Sequence, residues 1–295
     1  MLLEKFHLLL QDCSDILFKK GSLTVYYFHG IFKEEKEAAL QKVDPQWVVT
    51  IQGLRQFIDS YLEHDYSFVS PIDVLNGLTG DKKYILMTFD DGYFNNLYAL
   101  PILNEFDIPA VFFIISDYIK NQRPFWLDIV YRERKRQRVS LKKILCEQRS
   151  LLRKTHTEID AYVRDSFGEK AMKIICDIDR HFTAAELRSI SKEKNVYLGN
   201  HTSDHANLTC YHSSDIISQI RDAQDAIKEI AGITPVSISY PYGGYSGEVI
   251  KIAQEMGLKL GFTTWPQRAS LPMRSQTGEL MRLGRFEYRR AVSSS

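Results

Sequence analysis

The stretch Tyr84–Gly92, YILMTFDDG, ends an apolar run with two adjacent carboxylates and a glycine. The run predicts a strand that is buried on both faces, as in a parallel sheet. Asp90 and Asp91 would then lie at the carboxyl end of that strand, where α/β proteins place their chemistry. Adjacent carboxylates at such a place resist ionising together and need a cation or a shared proton. Taken alone, such a pair more often caps the helix that follows.

A second polar cluster follows another predicted buried strand, Val196–Leu198. In the segment Gly199–His205, GNHTSDH, the residues His201 and His205 are four positions apart and would share one face of a helical turn. Two imidazoles and a carboxylate form a zinc-type ligand set that leaves one position open for water. A histidine pair by itself usually lies on a polar surface. Together with the aspartate pair it predicts a metal site.

Three motifs in order make the chain resemble the polysaccharide deacetylase family, the NodB-like carbohydrate esterases. TFDDG at Thr88–Gly92 and HTSDH at His201–His205 are similar to the first two motifs, and YPYG at Tyr240–Gly243 is similar to the third. The segment Phe182–Thr202 also shows the family's helix and strand leading into the histidine motif. The resemblance covers Leu23–Phe286 and implies an α/β fold, a distorted, incomplete (β/α) barrel. The residue pattern alone predicts only a parallel α/β architecture.

We expect a single domain over residues 1–295, with core segments at about 23–120 and 182–286. The strand–helix rhythm breaks at about 121–181, which contain no convincing strand and predict a helical insertion. Two further amphipathic helices are predicted at residues 1–20 and at Trp47–His64.

The predicted insertion contains a basic run, Arg132–Lys143, with seven basic residues and one acidic residue. Such a run usually forms a solvated helix face. The alternative is peripheral contact with an anionic membrane surface or with a diphosphate-linked substrate. Phe125 and Trp126, at the start of the insertion, could form a sugar platform, although burial is the commoner fate of such a pair.

Composition and missing motifs exclude several classes of protein. The net charge of +1 argues against a nucleic-acid binder. Four cysteines without a CxxC pair suit free thiols in a reducing compartment. Neither a signal peptide nor a membrane-length apolar run is visible, so a cytoplasmic location is expected. The absence of GxSxG, P-loop and GxGxxG motifs argues against serine hydrolases and the usual nucleotide-binding sites.

The resemblance implies a metal-dependent mechanism. Asp91, His201 and His205 would hold a divalent ion, with zinc expected and cobalt, nickel or manganese as alternatives. The ion would polarise an acetamide carbonyl and lower the pKa of a water molecule. Asp90, which is not a ligand, would take the proton from that water as a general base.

A general acid is expected on the first core strand, Leu23–Phe28. One branch of the family, the poly-N-acetylglucosamine deacetylases, carries its acid histidine there, and His29 follows this strand. Other branches use a histidine near the carboxyl terminus, but the last histidine here is His212. By this resemblance, His29 would protonate the leaving amine.

Other site residues are implied near the third motif. The backbone N–H of Tyr242 would stabilise the oxyanion, with Pro241 and Trp265 expected to contact substrate. Many family members have an arginine in this motif that orients the catalytic aspartate, and this chain lacks it. Arg285 is a candidate replacement that would orient Asp90.

The expected function is removal of an N-acetyl group from an amino sugar. Because a cytoplasmic location is expected, a nucleotide- or lipid-linked sugar in cell-surface polysaccharide synthesis is favoured over an extracellular polymer. Two alternatives stay open: a deformylase or other amide hydrolase on the same metal site, and a non-catalytic sugar-binding module. The sequence does not give the oligomeric state.

Overall fold

The computed structural model describes residues 21–40, 42–43, 48–173, 176–273 and 278–288. The helix predicted at residues 1–20 and Trp47, the predicted first residue of another helix, lie outside these ranges. The strands are β1 Ser22–Phe28, β2 Ile31–Phe32, β3 Val49–Thr50, β4 Tyr66–Phe68, β5 Lys83–Phe89, β6 Ala110–Ile114, β7 Val196–Asn200, β8 Ser237–Ser239, β9 Leu260–Phe262, β10 Ala269–Ser270 and β11 Phe286–Glu287.

Helices follow or connect most of these strands. The α-helices are α1 Glu35–Ala38, α2 Ile51–Glu63, α3 Pro71–Asn76, α4 Leu100–Glu105, α5 Ser116–Asn121, α6 Trp126–Arg136, α7 Leu141–Leu151, α8 His156–Phe167, α9 Ala184–Ile190, α10 Ser213–Ala231 and α11 Gly247–Glu255. Short 3₁₀ helices span Phe94–Ala99, Glu169–Met172, Asp177–Asp179, Leu208–Cys210, Pro241–Gly243 and Glu279–Arg282. In the part of the chain that the structure describes, none of the helices has the length and apolar character needed to cross a bilayer.

Within the described ranges, nine strands form one curled sheet. Its main order is β10-β1-β5-β6-β7-β8-β9, with β4 paired to β5 and β11 paired to β1. The pair β1–β10 is antiparallel, whereas the other neighbours in this sheet run parallel. This arrangement confirms the incomplete (β/α) barrel predicted from the sequence.

Both faces of the central strand β5 are buried, as its apolar run predicts. Met87 and Phe89 belong to a cluster that includes Phe57 of α2 and Ile227 of α10. Leu86, which points to the opposite face, belongs to a second cluster made mainly of residues from other strands. Burial on both faces shields β5 from solvent and fixes the position of its carboxyl end at the edge of the sheet.

The predicted insertion contains the helices α6, α7 and α8, and no strand among its described residues. These helices share an apolar cluster that includes Ile129, Ile144 and Val163. Tyr93 also belongs to this cluster, and Tyr242 packs against it. The insertion is therefore packed against the carboxyl ends of the barrel strands.

The basic run of the insertion does not form a single solvated face. Arg132 is 3% exposed and its guanidinium lies 2.9 Å from the carboxylate of Asp179. Arg134 pairs with Glu147 of α7 at 2.8 Å. The run also crosses from the end of α6 to the start of α7, so its charges point in different directions.

Local capping explains where several helices begin. The helix predicted from Trp47 begins only at Ile51, because Thr50 accepts a hydrogen bond from the N–H of Gly53 at 3.0 Å and acts as its N-cap. The helix α10 ends at Ala231, because Gly232 follows it in a left-handed conformation with φ of 74°.

Candidate metal and catalytic site

Parallel strands bring the candidate site residues to one edge of the sheet. His29 follows β1, Asp90 and Asp91 follow β5, and His201 follows β7. The strand ends are level, since the N–H of Asp90 donates to the carbonyl of Phe28 at 2.8 Å. Residues far apart in the chain therefore meet at the carboxyl end of the barrel.

Asp91, His201 and His205 form a compact, buried group that could hold a metal ion. The Oδ1 atom of Asp91 lies 3.3 Å from Nε2 of His201 and 3.4 Å from Nε2 of His205. This oxygen has no hydrogen-bond partner among the described residues. A buried carboxylate oxygen without a partner, facing two imidazole nitrogens, is a donor set that a divalent ion satisfies.

The tautomer of His201 fits this assignment. Its Nδ1 atom lies 2.8 Å from the backbone carbonyl oxygen of Ser239. Because a carbonyl only accepts, Nδ1 carries the proton and Nε2 turns its lone pair towards Asp91. Such a bond fixes the ring of a metal-ligating histidine.

Burial and charge set the protonation states of His205 and Asp91. Burial lowers the pKa of His205 to about 3, which keeps this imidazole neutral. Burial opposes the charged form of Asp91, but its electrostatic interactions with His201 and His205 outweigh burial and lower the pKa of Asp91. An ionised carboxylate beside a neutral imidazole is the state that binds metal.

The histidine motif is not a helical turn, so that prediction was wrong. Thr202 and His205 have φ of 64° and 62°. The side chain of Asn200 accepts from the N–H of Thr202 at 2.8 Å, and the hydroxyl of Thr202 accepts from the N–H of Ala206 at 2.9 Å. The two imidazoles meet because this tight turn folds back on itself.

Three candidate site residues share a left-handed backbone. Asp91, His205 and Tyr242 have φ of 70°, 62° and 58°. Positive φ is uncommon outside glycine and persists only where the surrounding structure holds it. Its recurrence in all three motifs marks the strand ends as a site whose side-chain directions are set by the backbone.

Asp90 is held by Arg285 in a two-pronged ion pair. The two guanidinium nitrogens lie 2.8 and 2.7 Å from the two carboxylate oxygens, and Arg285 is 1% exposed. The guanidinium also donates to the hydroxyls of Thr88 at 3.0 Å and Ser239 at 2.8 Å. Burial opposes ionisation of Asp90, but Arg285 outweighs it and lowers the pKa of that carboxyl.

The start of the insertion also contacts the site. The ring of Phe125 meets His205 edge to face, with centroids 4.9 Å apart. The indole N–H of Trp126 donates to the hydroxyl of Tyr242 at 3.2 Å. The ring of Tyr242 in turn meets His205 at 4.5 Å. Phe125 and Trp126 are each 2% exposed, so the pair is buried, which the sequence analysis gave as the commoner fate of such residues.

A cavity of about 320 Å³ opens over these residues. From the strand ends it is lined by His29, Asp90, Asp91, His201, His205, Tyr242 and Thr264, among others. The insertion adds walls from Leu127, Asp128, Leu145, Gln148, Arg149 and Leu152. Pro241 and Trp265 are not among the lining residues: the former is buried, and the latter is 72% exposed outside the cavity.

Apart from the sugar platform suggested at Phe125 and Trp126, sequence reasoning missed the contribution of the insertion to this cavity, of which Phe125 is one lining residue. Asp128, which is 3% exposed, accepts a hydrogen bond from the hydroxyl of Tyr93 at 2.8 Å. A carboxylate inside the apolar segment PFWLDIVY was the available signal, because a buried charge requires polar partners. The partner could not be predicted, since Tyr93 lies 35 residues earlier.

The family model for polysaccharide deacetylase matches residues 77–261, more than half of the chain. The chain belongs to the polysaccharide deacetylase family. The match confirms the resemblance in the sequence and includes the aspartate pair, the insertion, the histidine motif and the third motif. His29 and Arg285 lie outside the matched segment, so their assignment depends on the geometry described above.

Similar proteins share this family or its fold. The polysaccharide deacetylase family relative YxkH of Bacillus subtilis (strain 168) is 23% identical over 213 residues, which cover 70% of this chain and 56% of YxkH. The Streptococcus pyogenes deacetylase PplD in complex with acetate has 18% identity and a TM-score of 0.61, covering 92% of this chain and 93% of PplD. IcaB from Ammonifex degensii has 16% identity and a TM-score of 0.60, also covering 92% and 93%. At such identities the solved structures show a shared fold.

Proposed function

We propose that this member of the polysaccharide deacetylase family is a metal-dependent hydrolase that removes an N-acetyl group from an amino sugar. The observation that carries the proposal is the buried set Asp91, His201 and His205, with Asp90 clamped by Arg285 beside it. A sugar-binding module without catalytic activity would not need a second buried carboxylate held in a bidentate ion pair. Family membership supports a carbohydrate substrate and hydrolytic chemistry.

The chain's own residues divide the proposed work. A divalent ion held by the three ligands, for which we propose zinc, would polarise the amide carbonyl and acidify a water molecule. Asp90 would accept the proton of the attacking water, and Arg285 keeps its carboxylate ionised and aimed. Water thus supplies a hydroxyl to the acetyl carbon and a proton to Asp90.

Two further groups complete the proposed reaction. The backbone N–H of Tyr242 would donate to the oxygen that becomes negative during attack. His29, whose Nε2 lies 3.9 Å from the carboxylate of Asp91, would give a proton to the leaving nitrogen when the C–N bond breaks. The products are acetate and a free amino sugar.

The finer substrate assignment is also a proposal. We propose a nucleotide- or lipid-linked sugar used in cell-surface polysaccharide synthesis, handled in the cytoplasm. The described cysteines Cys146, Cys176 and Cys210 are free thiols, which suits a reducing compartment. The exposed cations Arg138, Lys142 and Lys143 at the α6–α7 turn would give peripheral contact with an anionic membrane surface.

Acetate release from a panel of nucleotide-linked and lipid-linked N-acetyl amino sugars tests the function. We expect turnover that is lost with a chelator and restored by added zinc. N-formyl analogues in the same panel distinguish a deformylase, which would prefer them. Sugar binding without any acyl release in the metal-loaded protein would contradict the proposal and support a binding module.

A further inference from the structure

We infer that Trp126, the first residue of the insertion helix α6, positions the third-motif residue Tyr242 for the reaction. The inference rests on the proposed function, in which the backbone N–H of Tyr242 stabilises the developing oxyanion. It makes the insertion part of the active site instead of a peripheral addition to the barrel. Trp126 is a positioning residue in this proposal, since it acts through Tyr242.

The contact between the two side chains has one possible direction. An indole N–H can only donate, so the hydroxyl of Tyr242 accepts at 3.2 Å. Burial raises the pKa of the Tyr242 phenol well above its ordinary value, so this hydroxyl keeps its own proton. Trp126 is 2% exposed, and water therefore cannot easily replace the indole as donor.

The backbone of Tyr242 needs such support. Its φ of 58° interrupts the 3₁₀ helix Pro241–Gly243, and a side chain rarely adopts this conformation unaided. The hydroxyl of Thr264 donates to the carbonyl of Tyr242 at 3.4 Å, which holds the main chain. The bond from Trp126 holds the other end of the same residue. Together the two contacts restrain Tyr242 in this conformation, on which the direction of its N–H depends.

The neighbouring residue Phe125 extends the same link to the metal ligands. His205 lies between two rings, with Phe125 at 4.9 Å and Tyr242 at 4.5 Å, both edge to face. A shift of the α6 start would therefore move Tyr242 relative to His205. Errors of about 1 Å in a donor's position can slow a reaction roughly a hundredfold. The structure thus ties the docking of the insertion to the geometry of the proposed oxyanion site.

A double-mutant cycle tests the inference. Trp126→Phe removes the indole donor and keeps a ring, and Tyr242→Phe removes the acceptor and keeps the backbone. We expect each single variant to lower kcat about tenfold with KM nearly unchanged, and the double variant to be no slower than the slower single one. The inference fails if the double variant loses kcat by the product of the two single losses. It also fails if Trp126→Phe leaves kcat unchanged.

A matched control and a metal titration separate positioning from simple packing. Tyr211→Phe removes another contact of the insertion, in which the tyrosine hydroxyl accepts from the N–H of His156 at 2.8 Å. We expect this control to keep wild-type kcat, and zinc affinity to be equal in all variants. If Tyr211→Phe slows kcat as much as Trp126→Phe, or if zinc affinity falls in step with kcat, Trp126 has a general structural role and the inference fails.

A readout that needs no substrate keeps this test independent of the proposed function. In protein labelled with ¹⁵N-tryptophan, the indole signal that disappears in Trp126→Phe belongs to Trp126. We expect Tyr242→Phe to shift that signal and to speed its exchange with solvent. An unshifted, equally protected signal would show that the hydrogen bond is absent. If the bond is present but no amide substrate is hydrolysed, the proposed function fails and the contact stands.

Discussion

Arg285 lies 195 residues after Asp90 in the chain and contacts both oxygens of its carboxylate. The pair lies inside the barrel, where Thr88, Ser239 and the carbonyl oxygen of Thr263 accept from the remaining guanidinium donors. The geometry gives Asp90 one orientation and one charge state.

Arg285→Lys should lower kcat by about tenfold or more, because an ammonium cannot match both carboxylate oxygens. Arg285 lowers the pKa of Asp90, so a weaker partner should move the acid limb of the kcat profile to higher pH. Kinetics between pH 4 and 8 measure both effects. Arg282→Lys, at an exposed neighbouring arginine, serves as control and should change neither. A wild-type profile in Arg285→Lys would contradict the orienting role.

Arg285→Gln should in addition destabilise the fold. Removing one partner of a buried ion pair leaves an uncompensated charge, which costs about 3–5 kcal/mol. Urea unfolding measures the free energy of unfolding of this variant and of the double variant Arg285→Gln, Asp90→Asn. The comparison gives the coupling energy between Arg285 and Asp90. The double variant should recover part of the loss, since the buried charge is gone.

Asp91→Ala should lose both metal and activity, because it removes one of three ligands. Asp90→Asn should keep the metal and lose about 10²–10⁴-fold in kcat, because an amide cannot accept the proton of water. Zinc titration and acetate release measure the two properties separately. Loss of metal affinity in Asp90→Asn would show that Asp90 is a ligand and not the proposed base.

His29→Ala should retain the metal and slow the hydrolysis of amides. The loss should shrink for an activated ester, whose leaving group needs no proton. The ratio of the two rates in wild type and variant is the measurement. Equal slowing of both substrates would remove His29 as the general acid.

His181 should make the stability of the protein depend on pH. Burial lowers the pKa of His181 to about 4, from 6.5. Above about 6.5 the folded and unfolded states are both neutral at this residue. As the pH falls towards about 4, only the unfolded state takes up the proton, so the free energy of unfolding drops by at most about 1.4 kcal/mol per pH unit.

His181→Phe should remove the contribution of one proton from the slope of unfolding free energy against pH. The phenyl ring would keep the contacts with Tyr93 and Tyr118, whose ring centroids lie 5.0 and 4.7 Å from that of the imidazole. Urea unfolding at several values of pH between 4 and 7.5 provides the slopes. The surface variant His212→Gln is the control, with the wild-type slope expected. An unchanged slope in His181→Phe would contradict the prediction.

Exposed cations of the insertion should carry any contact with an anionic membrane. Replacing Arg138, Lys142 and Lys143 by Gln should weaken binding to vesicles that contain anionic lipid, and more so at low salt. Vesicle sedimentation at two salt concentrations provides the measurement. Buried Arg132 is excluded from this test because its loss would affect folding.

A control with the same loss of charge replaces the exposed lysines Lys192, Lys228 and Lys259 by Gln. It should bind vesicles as the wild type does. If both triple variants lose binding equally, the effect comes from net charge and not from the α6–α7 turn. If neither loses binding, the turn is only a solvated surface.

The candidate ligands could be predicted because their signals are local. A buried strand that ends in DDG, and another that ends in HTSDH, each occupy a few residues. The parallel arrangement then places both strand ends at one edge. The turn that joins His201 and His205 was predicted wrongly as helical, since the spacing of four is also met by a left-handed turn built on Asn200 and Thr202.

The sequence by itself therefore determined the chemistry available at the strand ends and the family to which the chain belongs. The family resemblance offered Arg285 as a candidate partner of Asp90, and the tertiary structure shows that the two residues pair. Only the tertiary structure decided that Trp126 contacts Tyr242 and that the insertion lines the cavity. These contacts join residues separated by 195 and 116 positions. They depend on strand order and on where the insertion folds back, and no local periodicity of the chain encodes either.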